Sequence, residues 1–201
     1  MIKHSFLLFF LFVLISCTQQ KSEKSDELAE ANTEDNISTK SAFSDQFIDG
    51  SPINHYLKNP DLPAVVKNYY NGNFVVQVNT ATDSLMNILV TPDDGLTPFY
   101  FKCFMSICQK ADSTLTTYLG EKCILLLENN THYCINKLKK GSPDYFTGLV
   151  ANEIYQQENW EDEINNLSLR LHLNLENDAP ELRKELDLFI VGVKNDIEHM
   201  K

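Results

Sequence analysis

The sequence predicts an all-α domain of about seven helices in antiparallel pairs, forming a compact irregular bundle or a short α-solenoid-like array. Three observations carry this expectation. Helix-start signals recur along the chain, at Asp61-Leu62-Pro63, Thr97-Pro98 and Ser142-Pro143-Asp144. Between them, apolar residues mostly return at spacings of three and four. The turns are short, which pairs neighbouring helices antiparallel. No fixed repeat period is present, and the Trp, Gly, Tyr and Pro pattern of tetratricopeptide repeats is missing.

The elements follow in order from Phe43. Pro63 starts a helix carrying Val65, Val66, Tyr69 and Tyr70, and Gly72 closes it, as proline in the first turn and glycine past the end dictate. Phe74, Val76 and Val78 alternate with Val75, Gln77 and Asn79, the period of a strand, although the sequence offers no partner strand. Thr82 precedes a helical set of Leu85, Met86, Leu89 and Val90, and Pro92 with Asp93-Asp94-Gly95 makes a turn. Thr97, read as an N-cap, and Pro98 open a helix that is apolar on most sides, through Phe99, Phe101, Phe104, Met105, Ile107 and Cys108. Such a helix belongs at the centre of a core. Asp112 or Ser113 caps the next, with Leu115, Tyr118, Leu119 and Cys123 to Leu127. Thr131 opens a short helix that Gly141 ends, and Pro143-Asp144 starts one with Phe146, Leu149, Val150, Ile154 and Tyr155 on one face.

Residues 167–175 pose a conflict. Leu167, Leu169, Leu171, Leu173 and Leu175 alternate with polar residues, which is strand period, but leucine is a helix former and both flanks are helical. Helix is expected, with strand as the alternative. The final helix is capped by Asp178, with Pro180 and Glu181 in its first turn and an apolar stripe of Leu182, Leu186, Phe189, Ile190, Val193 and Ile197.

The chain has 201 residues, a net charge of −11 and a pI near 4.8. That acidity argues against nucleic acid as a partner, which needs a basic stripe, and against electrostatic docking on anionic lipid. From Thr18 to about Ser41 the composition is Gln, Lys, Ser, Glu, Asp, Asn and Thr, with Leu28 and Ile37 as isolated apolar residues. Such a segment buries too little surface to offset its ordering entropy, so it is expected to be a flexible tether. As a random coil it would span on the order of 25–30 Å.

The first residues carry an address. Lys3 and His4 precede an apolar run from Phe6 to Ile15, too short to span a bilayer core, and the run ends in Leu14-Ile15-Ser16-Cys17. This stretch resembles the precursor of a bacterial lipoprotein, with Leu14 to Cys17 as its lipobox. The resemblance covers only the leader and the first mature residue. It implies a signal peptide over 1–16, a diacylglyceryl group on Cys17 Sγ, a further acyl chain such as palmitate on its freed amine, and a lipidated tether over 17–41. Each buried methylene contributes about 0.8 kcal/mol, so two or three chains anchor firmly where one does not. In such lipoproteins an Asp after the cysteine retains the protein in the inner membrane. Thr18 stands there instead, so the resemblance favours the outer membrane. The domain expected to fold is 42–201.

Candidate chemistry is sparse. Cys103, Cys108, Cys123 and Cys134 fall in apolar helical stretches, where free cysteine acts as a small buried hydrophobe. Buried free thiols are expected, with one disulfide between neighbouring helices as the alternative. Cys103 and Cys108 project about 140° apart on a helix. No zinc site is expected, because His55, His132, His172 and His199 are scattered and His132 diverges from Cys134 at i, i+2. Asp93-Asp94-Gly95 looks like a calcium-loop fragment without the further ligands of an EF-hand. Glu161, Asp162 and Glu163 suit the positive end of a helix dipole, and Glu176 with Asp178 is a further acidic pair that nothing marks as catalytic. The aromatics Tyr69, Tyr70, Phe99, Tyr100, Phe101 and Phe104 are expected in the core, with a binding groove as the alternative. No nucleophile elbow, P-loop or dinucleotide fingerprint occurs.

The functional expectation is a cell-envelope lipoprotein, acidic and all-α, whose domain binds another protein without catalysis and without a cofactor. A periplasmic immunity or inhibitor type of lipoprotein, and an envelope enzyme or small-ligand binder with a site built from distant residues, are the alternatives.

Overall fold

The structure, a computed structural model, describes residues 41–139, 141, 143–178 and 180–201. Leu14 to Cys17 and nearly all of the expected tether lie outside the described residues. The order is β1 (Phe47–Ile48), β2 (Ser51–Pro52), α1 (Ile53–Leu57), α2 (Ala64–Tyr70), α3 (Thr80–Leu89), α4 (Thr97–Gln109), α5 (Ser113–Asn129), α6 (Thr131–Leu138), α7 (Asp144–Tyr155), α8 (Trp160–Asn174) and α9 (Pro180–His199). The all-α expectation holds, with nine helices among the described residues instead of about seven.

Two short features were not legible as periodicity. The strands β1 and β2 pair antiparallel, Phe47 with Pro52 and Ile48 with Ser51. Asp49 and Gly50 turn between them with φ of 51° and 81°. Positive φ at both central residues is the type I′ hairpin turn, which favours Asp-Gly. α1 follows directly and places Tyr56 so that its hydroxyl donates to the Ile48 carbonyl at 3.1 Å. The Tyr56 ring stacks on Phe99 at 5.7 Å, where Phe43 and Tyr70 also meet it.

The helix ends refine the sequence reading. Asn79 caps α3 by accepting from the Thr82 N–H at 2.8 Å, and the Thr82 hydroxyl accepts from the Gln77 N–H. Residues 74–78 therefore run extended up to the helix but pair with no strand, so the expected strand does not form. At α4 the cap is inverted relative to expectation. Thr97 lies inside the helix and its hydroxyl accepts from the Asp93 N–H, while Asp93 Oδ1 accepts from Gly95 and Leu96 N–H. Asp112 is the α5 cap, accepting from the Leu115 N–H at 2.9 Å. Gly72 and Gly141 both take positive φ where helices end.

α4 is buried on most sides, with Phe99, Phe104, Cys103 and Ile107 essentially sealed from solvent, while α7 packs most extensively on its neighbours. The most extensive helix pairings join alternate elements, α5 with α7 and α7 with α9, and α6 and α8 also pack on α9. α5 and α7 approach so closely at Gly120 that an added Cβ would lie 2.6 Å from Glu153 Cβ. The leucine conflict resolves as helix. Leu167, Leu171 and Leu175 are fully buried, whereas Leu169 and Leu173 are 61% and 59% exposed. A strand would have put all five on one face. Among the described residues no helix is long and apolar enough to cross a membrane.

Candidate functional site: a polar cleft and an apolar groove

The residue expected to carry lipid, Cys17, lies outside the described residues. The four cysteines of the domain are all buried, and in this structure none is bonded to another. Burial pushes the Cys103 and Cys134 thiols far above the ordinary range. Burial also holds Cys123 high, joined by its contact with Cys108. Cys103, Cys123 and Cys134 are therefore poor nucleophiles in this setting, because the thiolate is the reactive form.

The histidines remain scattered. His132 Nε2 lies 3.3 Å from Asp178 Oδ1 on the surface, and His172 Nε2 lies 3.2 Å from Asp187 Oδ1. Among the described residues no three His, Cys, Asp or Glu side chains converge as a metal site would require. Glu161, Asp162 and Glu163 occupy the first turn of α8, as the dipole reading expects. The candidate aromatic groove is core: Phe99, Phe104, Tyr69, Tyr100 and Phe101 are buried and Tyr70 packs against them.

The sequence reading missed one polar cluster. Lys122 on α5 is almost fully buried, with Nζ 3.1 Å from Asp83 Oδ1 and 2.9 Å from Asn87 Oδ1 on α3. The Tyr118 hydroxyl donates to Asp83 at 2.6 Å. That hydroxyl, then Lys122, holds the Asp83 carboxyl below its usual range, while burial and then Asp83 push Tyr118 upward. Each half was legible, since Asp83/Asn87 and Tyr118/Lys122 are both i, i+4 pairs that share a helix face, but their meeting was not. The cluster ties α3 to α5.

Two concavities have distinct chemistry. The larger, about 510 Å³, lies between the α4 start and the α5–α6 junction, lined by Asp93, Asp94, Glu128, Asn129, Asn130, His132 and Asn174. Its amides are already engaged. Asn129 and Asn130 Nδ2 both donate to the Val90 carbonyl, at 3.1 and 3.0 Å. Asn174 Nδ2 donates to the Glu128 carbonyl and to the Thr131 hydroxyl. Arg170 clamps Glu128 at 2.6 Å and Glu163 at 3.2 Å. These side chains brace a corner.

The second concavity, about 280 Å³, runs between α6 and α9 over the α7 start. Ile135, Leu138 and Phe189 form its floor, Leu188 and Gly192 one rim, and Glu185 and Lys139 its polar edge. Leu188 is 56% exposed and Val191, one turn on, is 52% exposed. An apolar groove with a charged edge accepts an amphipathic segment of another chain more readily than a small polar substrate.

Compared with known proteins, the chain matches no family model, no curated protein and no solved structure.

Proposed function

We propose that this chain is a cell-envelope lipoprotein, anchored through lipid on Cys17, whose helical domain acts by binding another protein without catalysis. The observation that carries the reading is the sequence Leu14-Ile15-Ser16-Cys17 behind a basic start and a short apolar run. The polar composition of 18–41 supports it, as a spacer between an anchored residue and a domain that begins to pack at Ala42. The groove between α6 and α9, with Leu188 at its rim, supports the binding part.

Two measurements test the reading separately. Cys17→Ser stops incorporation of labelled palmitate and releases the protein from membranes; continued membrane attachment of the variant refutes the anchor. A pull-down with the anchored protein and with Cys17→Ser recovers a protein partner. Failure of both to do so, together with turnover or binding of a metabolite by the purified protein, refutes the binding reading.

A further inference from the structure

We propose that Cys108 and Cys123 join as a disulfide that cross-links α4 to α5. Their sulfurs stand 4.0 Å apart in the core, already in contact. A disulfide needs a separation of about 2.05 Å, so each sulfur moves by about 1 Å to close it. The two helices are consecutive, joined through Lys110–Asp112, and Cys108 is the penultimate residue of α4. The other thiols are directed elsewhere. Cys103 projects about 140° away from Cys108 around the same helix. Cys134 Sγ instead lies 3.7 Å from the Leu126 carbonyl.

Burial decides when the bond forms. Cys123 is fully enclosed and Cys108 only 4% exposed. Exchange proceeds by attack of a thiolate on an accessible disulfide sulfur. The closed fold offers neither access nor, at Cys123, a thiolate. The bond therefore forms while α4 and α5 are still coming together, on a chain that meets its oxidant before folding is complete. One cysteine thiolate attacks an external disulfide, that of a thiol–disulfide exchange protein or of oxidised glutathione, and one external thiolate leaves. The second cysteine thiolate attacks the protein sulfur of the mixed disulfide, and the second external thiolate leaves. Two protein thiols lose two protons and two electrons, and the external disulfide becomes two thiols. This inference rests on the export reading for the source of the oxidant. Once closed, the bond is shielded from reductants by the same burial, and it constrains the unfolded chain across residues 108–123.

The test uses the full chain in two preparations: isolated from the cells that make it, and reduced, unfolded and refolded with oxidised glutathione. Free thiols are capped in denaturant, the chain is digested, and the peptides are weighed. The expected result is a Cys108 peptide joined to a Cys123 peptide, lighter than their sum by two hydrogens, with Cys103 and Cys134 capped. A bond to Cys103 or Cys134 overturns the proposal. Palmitate on Cys17 in the same digest separates the two readings. A palmitoylated chain with Cys108 and Cys123 both capped overturns the disulfide and leaves the anchor standing. In a chain without palmitate and with both capped, the anchor reading fails, and the refolded sample decides the pairing: no bond there overturns it, and a bond there upholds it. As a second readout, dithiothreitol lowers the urea midpoint of the oxidised chain and of Cys103→Ser, but leaves Cys123→Ser unmoved. A reductant-sensitive midpoint in Cys123→Ser overturns the assignment.

Discussion

Gly120→Ala tests the packing of α5 on α7, because two opposing effects meet at one atom. In an exposed helix interior the substitution stabilises by about 1 kcal/mol, through backbone entropy lost from the unfolded chain. At Gly120 the new Cβ would lie 2.6 Å from Glu153 Cβ, 2.7 Å from Glu153 Oε2 and 3.1 Å from the Leu149 carbonyl oxygen. Carbon pairs prefer about 3.5–4.0 Å, so the helices must separate locally by about 1 Å. The Glu153 carboxylate can swing away, but its Cβ and the Leu149 carbonyl are fixed to the α7 backbone. Overpacking costs about 1–3 kcal/mol, and two backbone-fixed contacts place this site at the upper end. Subtracting the propensity gain leaves a loss of about 2 kcal/mol. At a urea slope of about 2 kcal/mol per molar, the midpoint followed by circular dichroism falls by about 1 M. Gly148→Ala on α7 and Gly192→Ala on α9 are the controls, since nothing lies within 4 Å of the added Cβ in either. Both are expected to raise the midpoint. If Gly120→Ala rises with them, α5 and α7 are not in contact there.

The leucine register of α8 predicts that Leu171→Ala costs about 2–5 kcal/mol and Leu173→Ala stays within about 0.5 kcal/mol, measured by urea titration. Equal losses at both would restore the strand reading. Burial and then the neighbouring Glu121 raise the Glu153 carboxyl above its ordinary value. The stability that this group contributes is complete below the unfolded value and is lost as pH rises through the folded one. Glu153→Gln should therefore stabilise the protein at neutral pH and flatten its stability profile in the mildly acidic range; a destabilised variant at neutral pH refutes the assignment. Asp49 is the opposite case. Burial raises its carboxyl, but hydrogen bonds from Lys137 and Tyr133 and the charges of Lys137 and Lys102 outweigh it and leave it below the usual range. Its contribution is present at neutral pH and lost as pH falls through the folded value. Asp49→Asn, which tolerates the positive φ of this turn, should cost less than about 1 kcal/mol at neutral pH and remove that acid dependence; an unchanged acid limb of the stability curve would count against the pair.

What could be read from sequence followed from how far each signal reaches. α9 was legible because an apolar stripe of six residues, a proline in its first turn and an acidic start all agree over twenty residues. Asp112 and the end at Gly141 were legible because capping and positive φ are local chemistry. At 167–175 the alternation was real, yet only every second leucine is buried, so periodicity and propensity disagreed and the flanking helices decided the outcome. Residues 74–78 alternate equally well and did not become a strand, since a strand requires a partner that local pattern cannot supply. The Asp49-Gly50 turn was a readable signal, but its strands are two residues long, below what alternation can register. The Lys122 cluster joins residues on α3 and α5 that no local window contains.

The polar cleft illustrates how composition and geometry can part company. Its residues, with aspartates, a glutamate, asparagines and a histidine, are the types from which active sites are made. The reason they gather there is the joint between α5 and α6. Asn130 alone separates the two helices, serving as the last cap of one and the first of the next with φ −132° and ψ 35°. So tight a corner leaves carbonyls without helical partners on both sides of it. Asn174 reaches in from the end of α8 to the Glu128 carbonyl, and Thr131 accepts from Asn174 while donating to the Leu127 carbonyl at 2.6 Å. Asn129 and Asn130 extend the same bracing to Val90 at the end of α3. Among the described residues every buried side-chain nitrogen and oxygen has such a partner. The cleft is thus the outside of a reinforced corner, where the asparagines hold backbone carbonyls and Glu128 and His132 pair with Arg170 and Asp178. A surface free to engage another chain has to be sought where side chains face solvent without an internal partner, as Leu188 and Val191 do along α9.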